Sequence, residues 1–225
     1  MAVQPRSPRE RFREQTRNEA KQVAMEQLAE SGPSGISVNA IAKRMGVTGP
    51  ALYRYFANRD ALLTELVADG YRDLAEVLEG VVREHRRKAP ENRFREVAVA
   101  FRAWALEGPQ RFLLLFGTPV PGYVAPEETF ELADRAFRSV LEPLAALAPE
   151  SPPSGALDRQ LLSWRERRGG PQPPLPALRK AVRAWSRLHG VISLEVTGQF
   201  AGTGVDPEPL FRAEVESVLA EPWEV

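Results

Sequence analysis

A chain of 225 residues, 43% hydrophobic and 27% charged, has ample material for one large globular unit or two small ones. It has no cysteine and only two histidines, which excludes a disulfide framework, a thiolate metal site and a His-rich one. Net charge is formally zero, but residues 1–59 carry ten Lys or Arg against five Glu, and a basic segment on an acidic remainder points to a polyanion partner at one end.

The amino terminus, "MAVQPRSPRER", lacks the apolar core of a signal peptide, and no apolar run approaches the roughly 18 residues of a spanning helix. The expectation is a cytoplasmic protein without a membrane partner. Residues 1–8 read as a flexible arm. "RNEAKQVAMEQLAESG" then places Ala20, Val23, Ala24 and Leu28 on one helical face and stops at Gly32-Pro33. "SVNAIAKRMG" opens with Ser37 as N-cap, turns Ala40 and Ile41 inward and ends at Gly46.

In "VTGPALYRYF", Thr48 is placed as an N-cap, which puts Gly49-Pro50 in the first turn of a helix, where a missing N–H costs little. Two short helices joined by a tight Gly-containing turn read as a helix-turn-helix with Ala40, Ile41, Val47, Leu52 and Phe56 as its core. A plain helical hairpin is the alternative. Thr48, Gly49, Ala51, Tyr53, Arg54 and Tyr55 then face outward. Small residues at the front of the second helix allow close approach to a major groove, and Arg54 is the candidate for a guanine contact.

"GISVNAIAKRMGVTGPALYRYFANRDALL" resembles the DNA-binding domain of TetR-family transcriptional repressors in the Gly-x-Ser-Val lead-in, the Ile-Ala pair, Gly-Val, the Leu-Tyr-x-x-Phe block and the trailing "NRDALL". The match runs over about residues 10–66. "AVRAWSRLHGVISLEVTGQF" is similar to the Trp, His-Gly segment of one subgroup of TetR carboxy-terminal domains. The resemblance implies an all-α fold, with a three-helix helix-turn-helix domain over 1–58 and a helical ligand-binding and dimerisation bundle over 59–225. It implies that Ser37, Asn39, Thr48, Gly49, Pro50, Ala51, Tyr53, Arg54 and Tyr55 lie against double-stranded DNA, with Arg59 in the place of a phosphate-binding Lys. Gly49 stands where many members carry a polar or basic side chain. Arg9, Arg13 and Arg17 are further candidates for phosphate contacts.

A long helix, about Arg59 to Arg87, follows, with Leu63, Leu66, Val67, Leu74, Val77, Leu78 and Val81 at helical spacing and glycines at 70 and 80. By resemblance it connects head and body. The body supplies Phe101, Trp104, Phe116, Tyr123, Phe130 and Phe137, which either fill a helical core or line an apolar cavity for a small-molecule effector. Residues 149–176 hold seven of the twenty prolines around "ALDRQLLSWRERR", which reads as a loop with a short amphipathic helix, either a lid or a disordered insertion.

Near the carboxy terminus Leu178, Val182, Trp185, His189, Ile192 and Val196 repeat with heptad-like spacing, and Phe211, Val215, Val218 and Leu219 form a second stripe. Such a seam either folds back on the body or, as the resemblance implies, pairs across a two-fold axis in a homodimer. A dimer would present two heads to a pseudo-palindromic operator, roughly 34–36 Å apart. No nucleophile–base pair, carboxylate pair or phosphate loop appears as a motif, so no catalytic residue, metal site or cofactor is expected. The expected function is a repressor released by a largely apolar ligand. The alternative is a ligand-independent DNA-binding dimer whose body is structural or binds protein.

Overall fold

The structure, a computed structural model, describes residues 7–32, 35–168 and 172–223. Among these the regular elements are ten helices: α1 (Pro8–Ser31), α2 (Val38–Arg44), α3 (Gly49–Tyr53), α4 (Arg59–Glu84), α5 (Pro90–Glu107), α6 (Pro109–Phe116), α7 (Glu127–Ala145), α8 (Ala156–Arg168), α9 (Leu175–Val196) and α10 (Pro207–Ala220). The chain packs as two compact units. One comprises the chain up to Gly70 together with Gln110–Thr129; the other comprises Tyr71–Pro109 and everything from Phe130 onward.

In the first unit, α1 starts earlier than the expected arm allows. Ser7 Oγ accepts from the Glu10 N–H at 3.2 Å and Glu10 Oε2 accepts from the Ser7 N–H at 2.8 Å, a reciprocal cap that satisfies two donors the helix cannot satisfy itself. Only residues 1–6 of that arm lie outside the described residues. The buried residues of α1, Ala20, Ala24, Gln27 and Leu28, all lie in its second half, and it stops at Gly32 with φ 68°. The turn between α2 and α3 passes through Gly46 at φ 69°, the left-handed region that favours glycine. Ile41, Leu52 and Phe56 are buried as expected. Val47 is not: its N–H turns in to the Ala42 carbonyl at 2.9 Å, and its side chain is left 38% exposed.

Leu62, Leu63 and Leu66 of α4 join the same core. Arg17 pairs with Glu65 (Nε to Oε2, 2.7 Å) and Lys21 with Asp69 (2.5 Å), tying α1 to α4. Residues 110–129, which follow α5 in sequence, also pack here. Val120 lies in the core, Leu114 and Tyr123 pack against it, and the Tyr123 hydroxyl donates to Thr64 Oγ1 at 3.2 Å. Gly70 gives Leu115 its room, since a β-carbon there would stand 3.2 Å from Leu115 Cδ2.

The second unit is built around α9, which packs against α5, α8 and α10. This arrangement bears on five of the nine residues expected at the dimer seam. Leu178, Ile192, Phe211, Val215 and Val218 are buried within the single chain, so they are core residues and not a surface for a second copy. Val182, Trp185, His189 and Val196 are half-buried. The stripe of α9 that its own chain covers is centred on Ala177, Ala181, Ala184, Leu188 and Val191, to one side of the heptad-like one. The opposite stripe carries Ser186, Gly190, Leu194 and Thr197, with Leu194 47% exposed.

The expected helix within the proline-rich segment forms as α8, and residues 169–171 lie outside the described residues. It is fixed to α9 by a buried ion pair: Arg179 Nε and Nη2 reach Asp158 Oδ1 and Oδ2 at 2.8 and 2.7 Å. The carboxy-terminal tail is fastened to α9 as well. Lys180 Nζ donates to the Glu221 carbonyl at 2.6 Å and lies 3.8 Å from the centre of the Trp223 ring, and Arg179 Nη1 donates to the Trp223 carbonyl at 3.3 Å.

Candidate nucleic-acid interface

The inner faces of α2 and α3 are committed to the core, and this decides what remains outside. Ser37 begins α2, with its Oγ accepting from the Ala40 N–H at 3.4 Å and its own N–H donating to Oε1 of the buried Gln27 at 3.2 Å. Asn39, the second residue of α2, is exposed, as is Lys43, one helical turn further along the same face. Lys43 is not among the expected residues; its i+4 spacing from Asn39 is the signal that could have found it.

On α3, Thr48 occupies the N-cap position but its side chain makes no capping bond. Pro50 sits in the first turn, Gly49 and Ala51 are half-buried, and Tyr53 is 43% exposed. The helix is shorter than expected. Arg54 is its C-cap and is exposed, whereas Tyr55 lies beyond it, half-buried against the core, so Tyr55 does not share the outer face with Tyr53. Arg59 is half-buried, and its Nε donates to the Ile36 carbonyl at 3.2 Å, bracing the loop that leads into α2. Arg17 is committed to Glu65 and lies 5.2 Å from the centre of the Phe56 ring, and Arg44 pairs with Glu30 at 2.6 Å. The outer face thus offers small residues at the front of a short helix, an amide and a lysine from α2, and an aromatic hydroxyl and a guanidinium at its far end.

Residues 22–66 match the family model described as bacterial regulatory proteins, tetR family, and residues 94–218 match the one described as tetracyclin repressor-like, C-terminal domain. The chain belongs to the TetR family of transcriptional regulators. It is 32% identical over 222 residues to the HTH-type transcriptional regulator Rv1816 of Mycobacterium tuberculosis (strain ATCC 25618 / H37Rv), covering 92% of each chain. It is 46% identical to the regulatory protein SCO4313, whose crystal structure it matches with a TM-score of 0.83, over 96% of this chain and 100% of that one. The TetR regulator PfmR from Thermus thermophilus shares the fold at 18% identity and a TM-score of 0.59, over 90% of this chain and 99% of that one. This protein is therefore a DNA-binding transcriptional regulator, and its family and relatives are regulators, not enzymes. TetR regulators bind DNA operators and act as dimers. No helix among the described residues is long and apolar enough to cross a membrane, and none of their acidic or histidine groups clusters to hold a metal.

In this TetR regulator the six expected effector residues are not brought together. Phe101 stacks on Trp185 at 4.9 Å, and Phe137 meets Trp185 at 6.2 Å and Trp164 at 5.5 Å, so these rings pack on one another. Trp104 is buried, with its Nε1–H donating to Asp73 at 2.7 Å. Phe116 lies 5.2 Å from Phe112 and, like Tyr123, belongs to the first unit. Phe130 is 64% exposed. Sequence reasoning misses Trp164 and the part Trp185 plays in this cluster, because the heptad-like spacing assigns Trp185 to the dimer seam.

Proposed function

We propose that this regulator is a homodimeric repressor that reads a pseudo-palindromic operator through Asn39, Thr48, Gly49, Pro50, Ala51, Tyr53 and Arg54, with Ser37, Lys43 and Arg59 on or near the phosphates. The observation that carries this reading is the outer face of α2 and α3, where Asn39, Lys43, Pro50, Tyr53 and Arg54 are all exposed above a closed core. Gly190 supports a dimer through the outer stripe of α9. A mid-helix glycine costs about 1 kcal/mol relative to alanine, and here a β-carbon would meet nothing of its own chain within 4 Å. Close approach by a second copy gives that glycine a use.

The repressor reading includes release by a small, largely apolar ligand bound in the aromatic body. The alternative, a dimer that needs no ligand, is favoured by one observation: the rings of Phe101, Phe137, Trp164 and Trp185 occupy one another's space. The experiment is binding of the full chain to the DNA upstream of its own gene, over a range of salt and against unrelated duplex. The reading expects selective binding that weakens steeply with salt. Tyr53→Ala and Arg54→Ala should each weaken it roughly 5- to 150-fold without changing the oligomeric state. Equal affinity for both duplexes would refute the operator reading. Release by apolar small-molecule fractions separates the two forms of the proposal.

A further inference from the structure

Position 49 is the first residue of the helix placed to read DNA, and it has no side chain to read with. The space is nevertheless filled. A β-carbon built on Gly49 would stand 2.5 Å from Asn39 Oδ1 and 3.6 Å from its Cγ, so the amide of Asn39 occupies the volume that a side chain at 49 would take. Asn39 is exposed and comes from α2. Its neighbour Ser37 commits its hydroxyl to capping α2. A helix entering the major groove presents its first residues to base edges, so a group in this volume is placed for readout. An amide offers a donor and an acceptor in one plane, which is the pairing suited to N6 and N7 of adenine.

We infer that Asn39 is a specificity-determining residue that replaces the missing side chain of position 49 and reads an adenine in each operator half-site, with Gly49 kept small to give it room. The inference rests on the proposed operator reading. It also explains the Gly49 position in physical terms. An alanine there would displace the far end of a flexible side chain rather than any backbone, so the fold should tolerate it while the amide moves.

The test uses the full chain with Asn39→Ala, Gly49→Ala and the double variant. The preferred site of the wild type is selected from random duplexes, and affinities are measured on that site, on each single-base variant and on unrelated duplex. The wild type should demand adenine at one position of each half-site. Asn39→Ala should lose roughly 5- to 150-fold on the selected site and far less on unrelated duplex, and should become indifferent to the base at that one position. Gly49→Ala should show the same loss, and the double variant should be no worse than either single change, because both remove the same contact. Equal losses on selected and unrelated DNA, an unchanged base preference, or additive effects would each overturn the inference while leaving the operator reading intact. Failure of the wild type to select any sequence would overturn both.

Discussion

The carboxylate of Asp158 is 2% exposed and holds α8 in place through Arg179. Burial alone would raise its pKa. Two bonds from the guanidinium and two from Ser154, through its N–H at 2.9 Å and its hydroxyl at 3.2 Å, outweigh burial and hold it below the usual carboxylate value. A carboxylate whose folded pKa is depressed stabilises the fold above its unfolded pKa, near 4, and that stability is lost as pH falls through the folded value. Asp158→Asn should cost about 3–5 kcal/mol in urea unfolding, because it strands Arg179 in a buried site. Replacing both residues with apolar ones of similar size should cost much less. His189 titrates with the same sign for a different reason. Burial lowers its pKa, so protonation favours the unfolded chain and stability falls as pH drops below about 6.5. His189→Gln should therefore reduce the difference in melting temperature between pH 7 and pH 5.

At the scale of elements, the helix-turn-helix was legible because its punctuation is chemical: Ser37 caps, Gly46 turns at positive φ, and Pro50 opens α3. Tyr55 was not legible, since α3 ends after Tyr53 and the chain turns that ring toward the core. The stripe of Leu178, Ile192 and their neighbours shows a different limit. Periodicity identifies a buried face, but it cannot say whether the same chain or a second copy buries it. Gly117 ends α6 with its N–H on the Leu113 carbonyl at 2.9 Å, and a β-carbon would stand 2.4 Å from that same oxygen. Backbone has to shift to admit it, so Gly117→Ala should destabilise the chain by on the order of 1–3 kcal/mol, read from the midpoint of a denaturant melt.

At the scale of the molecule, the all-α architecture was implied by the family resemblance and agreed with the helical spacing along the chain, whereas the makeup of the first unit was not legible. Nothing in "QRFLLLFGTPVPGYV" announces that Val120 and Tyr123 pack with residues some sixty positions earlier; hydrophobic spacing carries no record of partners distant along the chain. A fragment ending at Gly70 should therefore fail to give a cooperative melt, while the full chain gives one. The outer stripe of α9 makes a second prediction. The β-carbon of Gly190→Arg meets nothing within 4 Å on this exposed side of α9, so the change should leave helicity unchanged while converting the proposed dimer to monomers in sedimentation. Loss of the second head should then weaken operator binding by roughly 100-fold or more. A dimer that survives this change pairs through some other face.

The discontinuity of the first unit also bears on exchange between relatives. A recombination event or an engineered chimera that joins the first 70 residues of one regulator to the remainder of another delivers Val120, Tyr123 and Leu115 from the wrong parent. DNA-reading heads on this scaffold are then not portable as a single block. A functional hybrid has to carry Gln110–Thr129 along with the head, or to match the surface that Gly70 and Thr64 present to it.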